Sequence, residues 1–188
     1  SVFAFFFLAR RKDTGEFYAI KMISKSEMIK RGKQDAIFKE RDLMTLMEHP
    51  YIVKLHFAFQ SVYLLRDISI KGIFPSIDEY LFLVLDFLPG GELFYHIQKR
   101  RLFSEQQAKV YAGEIILGLN YLHNNKIIYE IQGKNKNPPQ VVTLYYFLNQ
   151  PENILVDMDG HLHLADFGLC KKVRSKDDLN YSFCGSPE

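Results

Sequence analysis

The chain has 188 residues, of which 47% are hydrophobic and 24% charged, which is enough apolar material for a packed core and excludes a disordered segment. Its 24 Lys and Arg residues nearly balance 22 Asp and Glu residues, so it lacks the basic excess of a nucleic-acid binder, and we expect no nucleic-acid partner. Two cysteines exclude a disulfide scaffold and favour a reducing compartment, so we expect the cytoplasm, with the nucleus as a second compartment.

The first part of the chain predicts a small antiparallel sheet and one helix. Apolar runs at 3–11 and 16–23 flank a turn-forming Asp-Thr-Gly and predict a hairpin. Residues 26–48 predict a helix whose apolar stripe includes the carboxylate of Glu40. Further strands are predicted at 51–59 and 81–87. The apolar opening run is too short to span a bilayer, so we expect no membrane span.

The second part predicts mainly helices. Pro89-Gly90-Gly91 breaks the chain before a short helix at 92–99, and a longer helix follows at 105–124. Ser104 is the expected N-cap of the longer helix, with Gln107 completing a capping box. Its predicted apolar face consists of Ala108, Tyr111, Ala112, Ile115, Leu119 and Leu122. An Asp-Met-Asp-Gly turn predicts a hairpin over 154–164.

Two stretches fit none of these patterns. Residues 61–78 and 130–150 interrupt otherwise continuous element patterns, and the second combines Pro138-Pro139 with an Asn- and Lys-rich run. We interpret both as inserts, either genuine or mis-set junctions of a gene model. The chain starts at Ser1 and stops at 188 without a terminal element, so we expect it to be part of a longer protein.

Lys21 and Glu40 are the first candidate functional residues. A lysine in an amphipathic strand is usually a solvated surface residue. A carboxylate within an apolar helix stripe needs a cation, however, and Lys21 on the neighbouring hairpin is a candidate. We therefore expect these two side chains to form an ion pair.

Asn153 and Asp166 are the second pair of candidates. They flank the predicted hairpin on opposite strands, so folding the turn brings two oxygen-bearing side chains to the same open end. Mg²⁺ bound with substrate phosphates needs one or two such ligands. The alternative is that both are turn residues that cap the hairpin.

Four motifs in register resemble the protein-kinase signature set. They are Tyr18-Ala19-Ile20-Lys21, Glu40 nineteen residues on, Pro151-Glu152-Asn153 and Asp166-Phe167-Gly168. The sequences DFGLCK at 166–171 and SFCGSPE at 182–188 are similar to those of the AGC serine/threonine kinases, in the protein kinase B and serum-and-glucocorticoid-regulated kinase branch.

The resemblance implies a two-lobed α+β fold. Residues 1–88 would form the N-lobe, an antiparallel sheet plus a helix, together with the hinge. Residues 89–188 would form a mainly helical C-lobe that is only partly present and is truncated in the activation segment. The inserts at about 61–78 and about 130–150 would interrupt one lobe each.

The resemblance also implies a role for each matching position. Lys21 would hold the α and β phosphates of ATP and pair with Glu40, and Asn153 and Asp166 would be the Mg²⁺ ligands. The other implied ATP contacts are Ala19, Leu85 (the gatekeeper), Asp86 and Leu88 (hinge backbone), Glu92 (ribose) and Leu155. Ser182 would be phosphorylated by a phosphoinositide-dependent kinase, and the substrates would be proteins.

Parts of the catalytic machinery are absent from the sequence. No glycine occurs before Phe6, where the glycine-rich loop is expected. Tyr129 is not followed by the expected Arg-Asp-Leu-Lys, and counting back from Asn153 places Leu148 at the catalytic Asp position and Gln150 at the Lys position. Leucine cannot accept the proton of a substrate hydroxyl, and glutamine carries no positive charge.

Two functions follow from these observations. The first is an ATP-dependent protein serine/threonine kinase domain that uses MgATP, and we expect the chain as given to be inactive. The alternative is a pseudokinase or nucleotide-binding scaffold that binds nucleotide without phosphotransfer.

Overall fold

A computed structural model describes residues 4–60, 68–70, 79–100, 103–129, 153–168 and 170–172. The chain groups into two compact units, Ser1–Met47 with Val53–Leu88, and Glu48–Ile52 with Pro89–Glu188. Residues 48–52 were expected in the first lobe. They group with the second unit because the Leu164 amide donates to the Tyr51 carbonyl and Ile52 forms a bridge with Leu164. Identifying the two units with kinase lobes stays a prediction.

The first unit is built around an antiparallel sheet. Its strands lie in the order β3-β5-β2-β1-β4. Their bounds are β1 (Ala4–Arg11), β2 (Phe17–Ser24), β3 (Leu55–Phe59), β4 (Ile68–Ile70) and β5 (Tyr80–Asp86). Because side chains alternate between the faces of a strand, one set of residues from four strands packs into a single buried cluster, consisting of Ala9, Tyr18, Ile20, Met22, Phe59, Phe82 and Val84.

The single helix predicted at 26–48 is wrong, because two helices occupy this stretch. They are α1 (Lys25–Lys30) and α2 (Gln34–Thr45). Gly32 lies between them with φ of +61°, a left-handed conformation that ends a helix and that glycine adopts without steric cost. The Ser24 hydroxyl accepts a hydrogen bond from the Glu27 amide and caps α1. The predicted carboxylate is buried in α2, beside Ile37, Leu43 and Met44.

Strand β4 was not predicted, since it lies within the expected insert at 61–78. It pairs antiparallel with β1, with Ala9 opposite Ile70 and Arg11 opposite Ile68. The rest of that stretch, 61–67 and 71–78, lies outside the described residues, as does the expected insert at 130–150.

The second unit contains α3 (Leu93–Arg100) and α4 (Glu105–Asn124). Ser104 caps α4 as predicted, because its hydroxyl accepts from the Gln107 amide at 3.2 Å. The capping box is incomplete, since the Gln107 side chain donates instead to the Tyr111 hydroxyl. The buried positions of α4 start at the middle of the helix and are Glu114, Ile115, Gly118, Leu119 and Leu122.

Short strands complete the second unit. Strands β6 (Gly91–Glu92), β8 (Ile154–Val156) and β9 (Leu162–Leu164) form one antiparallel sheet, and β7 (Ile127–Tyr129) pairs with β10 (Cys170–Lys172). Gly90 is required for close approach, because an added Cβ would lie 2.6 Å from the Val156 carbonyl oxygen. None of the described helices is long and apolar enough to cross a membrane.

Candidate functional site

The predicted site residues fall into two groups, one in each unit, and each group is described within its own unit. The first group contains the ion-pair candidates Lys21 and Glu40, then Ala19 on β2, Leu85 and Asp86 on β5, and Leu88 two residues after β5. The second group contains Glu92, Asn153, Leu155 and Asp166. Ser182, Leu148 and Gln150 lie outside the described residues.

Lys21 and Glu40 form an ion pair. The Lys21 Nζ donates to Glu40 Oε1 at 2.9 Å, joining β2 to α2 across nineteen residues of sequence. The Lys21 side chain is 15% exposed and the Glu40 side chain 6%. A charge removed from water in this way is stable only when it is paired. The pair therefore fixes a cation at a defined point on the sheet.

The β2 and β5 strands bring the implied adenine contacts together. Ala19 lies directly opposite Leu85, and Lys21 lies opposite Leu83. Leu85 is buried, whereas Ala19 is half-buried. The alternation of β2 thus places Ala19 and Lys21 on one face of the sheet, as the sequence predicted.

Sequence reasoning missed two apolar residues on that same face. Phe6 lies opposite Lys21 and Leu8 opposite Ala19 on β1, and Phe6 is 64% exposed. Side chains alternate between the two faces of each strand of the predicted hairpin. That alternation, combined with the pairing register of the two strands, was the signal that could have identified Phe6 and Leu8. An exposed aromatic ring beside a fixed cation offers an apolar surface to a flat ligand.

The end of β5 is held by side-chain contacts that were also missed. Asp86 Oδ2 accepts from the Lys54 amide at 2.8 Å, and Asp86 Oδ1 bonds His56 Nε2 at 2.6 Å. Asp86 precedes Leu88 by two residues, so the contacts lie at the implied hinge. No sequence motif signals them, because His56 lies on β3, thirty residues earlier in the chain.

In the second unit the hairpin places Asn153 and Asp166 just outside its paired ends. Ile154 lies opposite Leu164, and the Ala165 amide donates to the Asn153 carbonyl at 2.9 Å. The two candidate magnesium ligands therefore flank one end of the β8–β9 pair, as predicted. Amide and carboxylate oxygens are hard donors that suit Mg²⁺, so the donor set fits the ion.

Asp166 adopts an unusual backbone conformation. Its φ is +59°, in the left-handed region that costs a non-glycine residue energy, and its Oδ1 accepts from the Gly168 amide at 3.3 Å. The next side chain, Phe167, is fully buried and anchors the segment. Strain held in place by a buried neighbour is typical of a functional position.

Glu92 and Leu155 are also brought together. They are directly opposite each other on β6 and β8. The resemblance implies that Glu92 contacts the ribose of the nucleotide and that Leu155 contacts its base. Their cross-strand pairing means that a ligand which contacts one side chain lies within reach of the other.

Two histidine–carboxylate contacts surround the turn of the hairpin. His161 Nδ1 bonds Glu114 Oε1 at 2.6 Å, and the hydrogen bond that His161 donates to Glu114, together with the negative charge of Glu114, raises the pKa of His161. His163 Nε2 bonds Asp157 Oδ2 at 3.0 Å. Burial alone raises the pKa of Asp157, but hydrogen bonds from His163 and from the amides of His161 and Asp159 hold it below its ordinary value.

Comparison with known proteins identifies the class. The model of the protein kinase domain family matches residues 2–135, and the chain belongs to this family. It is 39% identical to Protein kinase 3 of Dictyostelium discoideum, over 97% of the chain and 17% of that protein. It is 40% identical to Serine/threonine-protein kinase Sgk3 of Rattus norvegicus and 37% identical to Sgk2 of Homo sapiens, over 96% of the chain and 30% and 41% of those proteins.

These relatives confirm the resemblance to the AGC serine/threonine kinases. The fold agrees, because an antiparallel sheet with helices in one unit and helices with short strands in the other constitute the predicted α+β kinase-like fold. The chain spans less than half the length of each of the three relatives.

Proposed function

We propose that this chain is an ATP-dependent protein serine/threonine kinase domain, in which Lys21 binds the α and β phosphates of ATP. The observation that carries the proposal is the buried Lys21–Glu40 ion pair at 2.9 Å. A lysine held by a buried carboxylate keeps its position, and a fixed position is needed to orient a polyphosphate.

The other roles follow by resemblance and are supported by local geometry. Ala19 and Leu85 would provide an apolar surface for adenine, and the backbones of Asp86 and Leu88 would bond its edge. Glu92 and Leu155 would contact the ribose and base. Asn153 and Asp166 would hold Mg²⁺, which neutralises charge on the phosphates when bound.

Inactivity of the chain as given is part of the proposal. The sequence lacks the catalytic-loop Arg-Asp-Leu-Lys, and Leu148 and Gln150 occupy the positions of the catalytic Asp and Lys. Without a group to accept the substrate proton, phosphotransfer loses its general base. The second candidate function, a pseudokinase or nucleotide-binding scaffold, is favoured by the same substitutions.

The remaining proposals concern partners and location. Protein substrates follow from the family, and Ser182 would be the site of an upstream phosphoinositide-dependent kinase. The arginine that would bind phosphorylated Ser182 is missing with the rest of the catalytic loop, so phosphorylation is not expected to order the segment in the usual way. A cytoplasmic location, with the nucleus as a second compartment, is proposed from cysteine usage.

Two measurements test the proposal. MgATP at a hundred times its dissociation constant adds about 2.7 kcal/mol to the stability, so the melting temperature should rise by about 5–10 °C. Absence of any shift at millimolar MgATP would contradict nucleotide binding. A phosphotransfer assay on a peptide substrate then separates the two functions. We expect no transfer, and transfer that Asp166→Ala abolishes would show that the chain is an active kinase.

A further inference from the structure

His56 lies at an irregularity in the sheet. The pairing of β3 with β5 shifts between Leu55, which is opposite Leu85, and Phe57, which is opposite Val84. Consecutive residues of β5 therefore face residues two apart on β3, and His56 is the extra residue. Bulges of this kind redirect a side chain and are common beside functional sites.

The redirected side chain reaches the end of β5. His56 Nε2 lies 2.6 Å from Asp86 Oδ1, and because a carboxylate only accepts, Nε2 is the donor. Asp86 Oδ2 accepts from the Lys54 amide at 2.8 Å, and the Asp86 amide donates to the Lys54 carbonyl at 3.2 Å. The Asp86 carboxylate thus links the bulged residue His56, and Lys54 just before β3, to the last residue of β5.

The imidazole ring also packs against a second ordered group. The rings of His56 and Tyr18 meet edge to face with centroids 4.9 Å apart, and Tyr18 is opposite Asp86 on β2. The Tyr18 hydroxyl donates to Glu16 Oε2 at 2.9 Å. His56 is therefore held from β2 as well as from β5, and its orientation is fixed before any ligand binds.

We infer that His56 is a positioning residue, which fixes the backbone from Asp86 to Leu88 through the Asp86 carboxylate and so prepares it to bond the edge of a purine. The inference rests on the proposed nucleotide binding, since these residues are the implied hinge contacts. His56 itself touches no nucleotide in this scheme. Because His56 already restricts the hinge backbone, this backbone loses less conformational entropy when a nucleotide binds.

Two substitutions of His56 separate the role of its Nε2–H donor from that of its aromatic ring. His56→Phe keeps an aromatic edge against Tyr18 but has no N–H group, whereas His56→Gln places an amide N–H near the position of Nε2. The matched control is His161→Phe, which removes a histidine–carboxylate contact in the second unit. Amide hydrogen exchange is measured without nucleotide, and the ADP dissociation constant is measured by titration.

We expect His56→Phe to speed exchange of the Lys54 amide by about ten-fold, because the Asp86 carboxylate that accepts from this amide no longer has its hydrogen bond from His56. The same variant should weaken ADP binding by about five-fold, the effect of one hydrogen bond. His56→Gln should restore both quantities to within about two-fold, and His161→Phe should change neither.

Unchanged exchange at Lys54 in His56→Phe would overturn the inference, and so would faster exchange with unchanged ADP affinity. Failure of the Gln variant to restore affinity would assign the effect to ring packing and would also overturn it. If the unaltered chain bound no ADP, the proposed function would fall, while the exchange at Lys54 would still decide whether His56 fixes this backbone.

Discussion

Each unit buries one glutamate, and the two glutamates are stabilised by different partners. Glu40 is 6% exposed and Glu114 5% exposed, and they are the buried charged residues among those that the structure describes. Glu40 accepts from the Lys21 ammonium. Glu114 accepts from His161 Nδ1 at 2.6 Å and from the Leu162 amide at 2.9 Å.

The difference lies in how far the positively charged partner is itself removed from water. Lys21 is itself largely buried, so both charges of the first pair were removed from water. His161 is 54% exposed, and the Glu114 carboxylate of the second pair also accepts a hydrogen bond from the Leu162 backbone amide. A structural link between β9 and α4 needs only the second arrangement. The more costly first arrangement is expected where a fixed cation has a task.

The largest expected effect is that of Lys21→Met. The substitution keeps most of the side-chain stem but leaves the Glu40 carboxylate buried without its cation, which costs about 3–5 kcal/mol. Nucleotide-induced stabilisation should also disappear. Urea denaturation measures the first effect, and a thermal-shift titration with MgATP measures the second.

The double variant Lys21→Met/Glu40→Leu is the control for Lys21→Met. Replacing a buried pair by apolar side chains is often neutral, so stability should return to within about 1 kcal/mol of the unaltered chain. Nucleotide binding should not return. Recovery of nucleotide binding in the double variant would show that the Lys21 charge has no functional task.

Glu40 and Glu114 also differ in how far sequence could predict them. The spacing of Ile37, Glu40 and Met44 placed a carboxylate in an apolar stripe, and that conflict pointed to Lys21. The predicted apolar face of α4 correctly includes Ile115, Leu119 and Leu122, which are buried, but it runs through Ala108 and Ala112, which are not, and it misses Glu114. Alanines suit either face of a helix, so they shifted the predicted stripe.

In the candidate site as well, features that depend on long-range contacts could not be predicted from the sequence. The β8–β9 hairpin was predictable because its turn residues are local, and with it the placement of Asn153 and Asp166. The bulge at His56 and the backbone strain at Asp166 were not, because each depends on tertiary neighbours rather than on propensity. The α1–α2 break was signalled by Gly32, but a single glycine in a helical pattern does not by itself end a helix.

The next effect in size is that of Glu114→Ala. It leaves the buried Leu162 amide without its acceptor, which costs about 1–3 kcal/mol. Glu114→Gln keeps an oxygen acceptor for that amide and should cost less than half as much. Urea denaturation of both variants provides the test, and equal losses would show that the Glu114 charge, rather than the hydrogen bond to Leu162, stabilises the link.

The smallest effect is the pH dependence of the second pair. Glu114 raises the pKa of His161 above its ordinary value of 6.5, so the folded chain holds this proton more tightly than the unfolded chain. The stabilisation is fully present below pH 6.5 and is lost as pH rises through the folded pKa. Asp157 and Asp159 act on His161 in the same direction.

His49 and His123 oppose this trend, because burial lowers the pKa of each, and the cost of burying the protonated form disappears as pH rises. The informative quantity is therefore the difference in unfolding free energy between the unaltered chain and His161→Phe, from about pH 5.5 to about pH 8.5. This difference should shrink as pH rises. A difference independent of pH would mean that neutral and charged His161 hold Glu114 equally well.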